Sequence, residues 1–373
     1  MERAEFVNKV FDELEKNHIF LYHDISKEEF EKQKNDFLKR ADGLDQTHFD
    51  AGILRLFALF KDAHVNYFGV DFEYVGAEIA LVGNDFYIKD GEIFSKIEKV
   101  NGHDIKDVVE NLKQLIAYET DSWAYYLIAK EFLLAPKALQ MIDCGASDKE
   151  ISFQCVGGKC LTKELQAIKK QTKKPYECKK MCNDNVLYIR YSQCVDMKSY
   201  PFVNFVEDIK KEWKKLPKAC LVDVRDNTGG SDVVIYPLLE WLKESKIKTF
   251  ALMNEGTFSS GTFALASLKK EAKATLLGTN AGQPTRVYGN NRWLSVDGKE
   301  FKSCERYFEL TSCHDKNAPV KPYYTSNAFN YAGVIKPDVK IETKVEDLNK
   351  GVDSQLKQSL IFIENALSKS KDF

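Results

Sequence analysis

Apolar residues recur at i, i+3, i+4 and i+7 over Val7, Val10, Phe11 and Leu14, and again over Ile53, Leu56, Phe57 and Phe60. That spacing lines one face of an α-helix. Ser26-Lys27-Glu28-Glu29 is a capping box and Thr47-His48-Phe49-Asp50 its acidic near relative, so helix starts are predicted at both. Three short helices are expected within residues 1–66.

The pattern then changes to short β-rich runs at 67–74, 78–82, 86–89 and 93–100, separated by Gly and Asn-Gly signals, which predicts a small sheet domain. Residues 105–116 read as a helix, 123–139 as a helix or helix pair, and 151–155 as a strand. The Lys- and Gln-rich stretch 163–174 is the candidate linker. Beyond it, strands at 186–191, 219–224, 249–253 and 274–277 alternate with helices around Val206, Ile209 and Trp213, at 234–242 and at 260–270. Leu356, Leu360, Ile363 and Leu367 stripe a last helix. This alternation is α/β material. A chain of 373 residues also exceeds one typical core. The expected division is a helical unit 1–66, a sheet and connecting region 67–165, and an α/β core 175–373.

Composition narrows the function. Fifty-four basic and 56 acidic residues leave a formal charge of −2, which gives no electrostatic footprint for nucleic acid. No apolar run approaches the roughly 18–20 residues of a membrane span. The start, Met1-Glu2-Arg3-Ala4-Glu5, is charged and unlike a leader, so the chain as written is expected in the cytoplasm, or exported if a leader has been removed. The nine cysteines, Cys144, Cys155, Cys160, Cys178, Cys182, Cys194, Cys220, Cys304 and Cys313, include no CxxC pair. Free thiols, not a zinc or redox site, are expected.

Two segments carry candidate chemistry. Leu221-Val222-Asp223-Val224-Arg225-Asp226-Asn227-Thr228-Gly229-Gly230-Ser231 is a strand running into a glycine turn, where exposed N–H groups can hold a developing oxyanion. An ordinary strand-to-helix turn has the same composition. Ala251 to Phe263 places Ser259 and Ser260 between a strand and a helix, a position that suits a nucleophile but that serine more commonly occupies as a helix cap.

Together these segments resemble the C-terminal processing (tail-specific) serine protease family. Asp223, Arg225, Asn227, Gly229 and Gly230 match its D-x-R-x-N-x-G-G strand, and Leu252, Asn254, Thr257, Ser259 and Ser260 match its nucleophile turn about thirty residues later. Ala274 to Gly278 resembles a following strand of the family. Gly333 to Asp338 resembles its G-[IV]-x-P-D element with one residue inserted, and Ile93 to Ile105 resembles part of its PDZ-like domain. The resemblance implies Ser259 as nucleophile. A general-base lysine would stand where Gln283 and Pro284 are found. Phe60-Lys61-Asp62-Ala63-His64-Val65 instead matches the D-x-H turn of the tricorn-like branch, and an imidazole is a suitable base near neutrality. His64 is therefore the expected base, although a histidine after a helix can also simply complement its dipole.

The chain departs from the family at Thr262 and Thr279, where glutamates are usual. At Phe329-Asn330-Tyr331-Ala332 it offers no acid to orient the base, so the third catalytic residue is unassigned. The resemblance implies a crotonase/ClpP-like ββα core, a PDZ-like domain and an extended or unfolded polypeptide substrate read by strand addition. Backbone N–H groups near Gly229, Gly230 and Ser260 would hold the oxyanion. No metal, nucleotide or other cofactor is called for. Two alternatives share this fold: a catalytically silent peptide-binding protein, favoured by the missing acid, and an acyl-CoA hydrolase, for which no segment suggests a CoA site.

Overall fold

The computed structural model describes residues 1–145, 147–167, 174–213 and 215–369. Positions 168–173 of the predicted linker lie outside the described residues. The chain forms two compact units. One comprises Met1–Lys169, Arg286–Glu309 and Asp315–Thr325, the other Lys170–Thr285, Leu310–His314 and Ser326–Phe373.

In the first unit the three predicted helices are Arg3–Asn17, Lys27–Ala41 and Gln46–Ala58. Ser26 Oγ caps the second, accepting the Glu29 N–H at 3.1 Å. The third starts at Gln46 and not at Thr47, because the Asp45 carboxylate accepts the His48 N–H at 2.8 Å and so fixes the first turn. The apolar stripes meet in an aromatic core, with Phe30 and Phe60 ring centroids 4.7 Å apart and Phe11 5.1 Å from both Phe30 and Phe57.

Strands Ile79–Val82, Asp85–Asp90, Ile93–Val100, Glu150–Cys155 and Cys160–Glu164 form an antiparallel sheet in that order, with His103–Asp104 also paired to Ile93–Val100. The Asn-Gly signal at 101–102 is its tight turn, both residues having positive φ. The helical stretch 105–116 is the shorter Ile105–Lys113, and 123–139 divides into Asp121–Lys130, a short 3-10 turn and Pro136–Gln140. Residues 67–74 form no strand. Tyr67 bridges Phe301, and Phe68 donates to the Glu300 carbonyl at 2.8 Å, so this stretch borrows isolated bonds from a hairpin far along the chain. That hairpin, Arg286–Val296 with Lys299–Thr311, pairs Arg286 with Glu309 through to Val296 with Lys299. It contributes Phe301 and Cys304 to the same core as Val10 and Phe57.

The second unit is built on a six-stranded sheet in the order Val339–Lys340, Thr275–Gly278, Lys248–Met253, Ala219–Asp223, Val186–Tyr191 and Tyr176–Met181. All neighbours are parallel except the last pair. Its strands read as continuous apolar runs because both faces are covered. Leu187, Ile189, Cys220, Val222, Ala251, Met253 and Leu276 face one core, which takes in Phe205, Leu238 and Leu265 from helices Phe202–Glu212, Tyr236–Ser245 and Ser260–Glu271. Their neighbours Val186, Tyr188, Leu221, Phe250, Leu252 and Leu277 face a second core under the final helix Ser354–Ser368, which contributes Ile363. The period-two alternation of a strand separates the two sets. The protein is thus mixed α/β, as the strand-helix alternation predicts.

Candidate active site

Ala219–Asp223 and Lys248–Met253 are adjacent parallel strands, with Asp223 in register with Leu252. The two turns that carry the candidate chemistry both leave their carboxyl ends, where open α/β sheets place ligand sites.

Ser259 has φ 51° and ψ −129°, a region that non-glycine residues rarely enter and that costs of order 1–3 kcal/mol. It stands at the cap position of helix Ser260–Glu271, yet its side chain makes no capping bond. Capping therefore does not account for this serine. A strained serine on a sharp strand-to-helix turn is the geometry of a nucleophile elbow. Gln283 and Thr262 hold the turn in place. Buried Gln283 Oε1 accepts the Ser259 N–H at 2.6 Å, while the Thr262 hydroxyl donates to the Ser259 carbonyl at 2.7 Å and its oxygen lies 3.1 Å from Gln283 Oε1.

Gly229 explains why glycine is needed opposite the serine. At φ 109° it lies so close that a Cβ there would fall 2.7 Å from Ser259 Cβ and 3.0 Å from Ser260 N. A Cβ on Gly230, at φ 135°, would fall 2.2 Å from the Cys194 carbonyl oxygen. Asn227 joins the turns. Its Oδ1 accepts the Gly229 N–H at 3.0 Å, its Nδ2 donates to the Tyr191 carbonyl at 2.9 Å, and its own carbonyl accepts the Phe258 N–H at 2.9 Å. Asn254 Oδ1 accepts the Asp226 N–H at 2.8 Å, and Thr257 Oγ1 donates to the Val224 carbonyl at 2.9 Å. The polar residues of the two sequence patterns are largely the latch between two turns.

Asp223 and Arg225, at the start of the first turn, are tied into an ion-pair network. The buried Asp223 carboxylate accepts from Tyr188 Oη at 2.8 Å, Arg190 Nη1 at 2.7 Å and Arg225 Nη2 at 2.7 Å; Arg225 also reaches Asp353 at 2.7 Å. A buried charge is tolerated when paired in this way.

Of the three expected oxyanion donors, the Gly229 N–H is taken by Asn227. Gly230 N–H and Ser260 N–H have no partner among the described residues. Ser260 Oγ donates to the Gly230 carbonyl at 2.9 Å, which fixes the two residues to each other. Beside Gly230 opens a cavity of about 560 Å³ walled by Val195, Phe202, Val203, Val233 and Pro237, with Val195, Val203 and Val233 each 44–54% exposed.

His64 belongs to the first unit, on the turn after helix Gln46–Ala58. It is buried, and its backbone N–H donates to Asp62 Oδ1 at 2.9 Å. Its Nδ1 lies 4.0 Å from the same oxygen, and its ring is also hydrogen-bonded to the Tyr288 backbone. Burial pulls its pKa below the usual histidine value, against the attraction of Asp62. The fully buried Asp62 is the acid that the sequence analysis leaves unassigned a role. Burial would raise its pKa, but the hydrogen bond from His18 Nε2 at 3.1 Å and the nearby imidazoles outweigh burial and hold it below the carboxylate range. Glu119 is also near, with a carboxylate oxygen within 4.8 Å of Asp62 and His64. Burial, then the Asp62 charge, pushes that carboxyl well above its usual value, and Glu119 Oε2 has no hydrogen-bond partner.

Donor atoms of His18, Asp62 and Cys304, and of Asp62, His64 and Glu119, gather within 4.8 Å of one another. The first group does not suit a metal. His18 Nδ1 accepts the Phe20 N–H at 3.0 Å, so Nε2 carries the proton and faces Asp62 as a donor.

Nothing in the local pattern points to His18 or Glu119. Asp62 was visible only as part of the D-x-H turn, and Gln283 only as a residue standing where a lysine was sought.

No protein-family model matches the chain, and no curated protein matches it in sequence. Solved structures do match. Mature CPAF is superposed with a TM-score of 0.62 at 11% identity, covering 93% of this chain and 94% of that one. Mature CPAF complexed with lactacystin gives 0.63 at 10% identity, covering 98% and 99%. The chain has the CPAF fold over nearly its whole length. Among the described residues, no helix is long and apolar enough to cross a membrane.

Proposed function

We propose that the protein is a serine peptidase in which Ser259 is the nucleophile and His64 the general base. The observation that carries this reading is Ser259 itself, strained, uncapped and set against the Gly229-Gly230 turn. The CPAF-like fold supports it. Ser259 Oγ attacks a peptide carbonyl carbon as His64 takes its proton. The Gly230 and Ser260 N–H groups receive the oxyanion, each worth roughly 3–4 kcal/mol of barrier. Collapse breaks the C–N bond, the amine leaves with the proton from His64, and water then hydrolyses the ester by the same route in reverse. Asp62, kept ionised by His18, favours the imidazolium form of His64 through charge at 4.0 Å rather than through a direct hydrogen bond.

In this reading the second unit is a crotonase/ClpP-like core, and the antiparallel sheet around Ile93–Val100 is a PDZ-like module that takes an extended polypeptide by strand addition. The apolar cavity beside Gly230 receives a substrate side chain next to the scissile bond, since Gly230 both lines it and supplies an oxyanion donor.

The test is covalent labelling with a fluorophosphonate probe and peptide mapping. Labelling at Ser259, abolished by Ser259→Ala and His64→Ala, is expected. A well-folded wild-type chain that takes no label would leave a silent peptide-binding protein of this fold as the better reading.

A further inference from the structure

A cavity of about 1000 Å³ opens within the first unit, between helices Lys27–Ala41 and Gln46–Ala58 on one side and Ile105–Lys113 with its following turn on the other. Its charged groups do not cancel. Lys113 is held by Asp121 at 2.8 Å and Glu110 at 3.6 Å. Asp24 is beside His23 at 3.3 Å, and burial pushes the Glu119 carboxyl well above its usual value, towards its neutral form. Arg40, Arg55 and Lys61 remain, and none of them has an ion pair among the described residues. Arg55 gives one hydrogen bond, from Nη2 to the Met141 carbonyl at 3.1 Å. Arg40 makes no side-chain bond among the described residues.

A half-buried guanidinium without a direct ion-pair partner is costly, and costlier beside a second one, and the more distant Asp143 charge only partly offsets this for Arg55. Burial first, and the Arg40 charge second, pull Arg55 below its ordinary range. Two guanidiniums in one cavity present paired N–H forks that match an oxyanion. The opposite wall keeps the carboxylates Glu110 and Asp121, which repel a dianion such as phosphate more than a monoanion. Ile25 and Leu59, half-buried on the same wall system, offer apolar surface.

We propose that this cavity is a binding site for a small organic monocarboxylate, its carboxylate held by Arg40 and Arg55 and its apolar body against Ile25 and Leu59. The proposal does not depend on the peptidase reading.

Isothermal titration of the full chain with N-acetyl-leucine, N-acetyl-leucinamide and inorganic phosphate tests it. The acid is expected to bind at least about 10-fold tighter than the amide, the value of a charge-assisted hydrogen bond. Arg40→Met should weaken it by a similar factor without disturbing the fold, since the side chain has no structural partner. Arg55→Lys, which can keep the bond to the Met141 carbonyl, should also weaken it by losing the fork. Equal binding of acid and amide, phosphate bound in preference to the acid, or an Arg40→Met affinity equal to wild type would each overturn the proposal. Unchanged melting temperatures of both variants exclude unfolding as the cause of a loss.

Discussion

Gly229 approaches Ser259 so closely that a methyl group on its Cα would sit 2.7 Å from Ser259 Cβ and 3.1 Å from Ser259 Oγ. The glycine turn and the serine turn are therefore one packed object, and a side chain cannot enter it without moving the proposed nucleophile.

Gly229→Ala accordingly combines a positive φ with a backbone clash and should destabilise the protein by well over about 1 kcal/mol. Gly351→Ala, also at positive φ but with nothing within 4 Å of the new methyl, should cost only about 1 kcal/mol. Urea denaturation of the two variants checks the difference, and only Gly229→Ala should lose fluorophosphonate labelling. Equal costs would show that contact with the Ser259 turn contributes nothing to the requirement for glycine at 229.

Gln283→Leu removes the acceptor of the Ser259 N–H. A buried donor left without a partner costs about 1–3 kcal/mol, and the strained φ of Ser259 loses its main restraint. Labelling at Ser259 should fall by an order of magnitude or more, whereas Gln283→Glu, which keeps the acceptor, should retain more of it. Identical rates in the two variants would rule out this restraint.

His64 must be neutral to act as a base. Because burial lowers its pKa, the acid limb of the labelling rate should have its midpoint below the ordinary histidine value of about 6.5. The same shift makes stability fall as pH drops below about 6.5, since the unfolded state binds the proton first. A rate profile with its midpoint above pH 7 would contradict the assignment.

Glu119 has the opposite sign. Its folded-state pKa is raised, so its contribution is fully present below the unfolded carboxylate pKa near 4.3 and is lost as pH rises towards the folded value. Glu119→Gln should flatten the decline in stability as pH rises above about 4.3, with a slope change of up to about 1.4 kcal/mol per pH unit. Thermal or urea melts across that range read it directly, and an unaltered slope would mean that Glu119 is ionised in the folded protein.

Val203→Trp fills the cavity beside Gly230 from an exposed position. Stability should change by no more than about 0.5 kcal/mol, while KM for peptides with a large apolar residue next to the cleaved bond should rise relative to peptides with alanine there. Parallel changes for both peptide classes would place the substrate side chain elsewhere.

Much of the second unit was legible along the chain. The runs at 186–191, 219–224 and 249–253 are strands within one residue of their predicted ends, because a strand covered on both faces must be apolar throughout. The first unit was harder. Residues 67–74 have strand composition, but their partners at Glu300 and Phe301 lie more than 200 positions away, and local pattern carries no information about so distant an edge. Thr47 lost the helix start to Asp45 for a local reason, the stronger acceptance of the first-turn N–H by a carboxylate.

The sequence alone determined the strand-helix alternation, the aromatic core of the first helices and the chemical types at the two turns, since each depends on neighbours a few residues apart. Tertiary structure decided which groups have work left to do. It engages the Gly229 N–H with Asn227 while leaving those of Gly230 and Ser260 without a partner among the described residues. It turns Gln283 into the support of Ser259, and gathers His18, His64 and Glu119 around Asp62. Hydrogen-bond partners and desolvation are properties of three-dimensional neighbourhoods, and residues that share one need not be near in the chain.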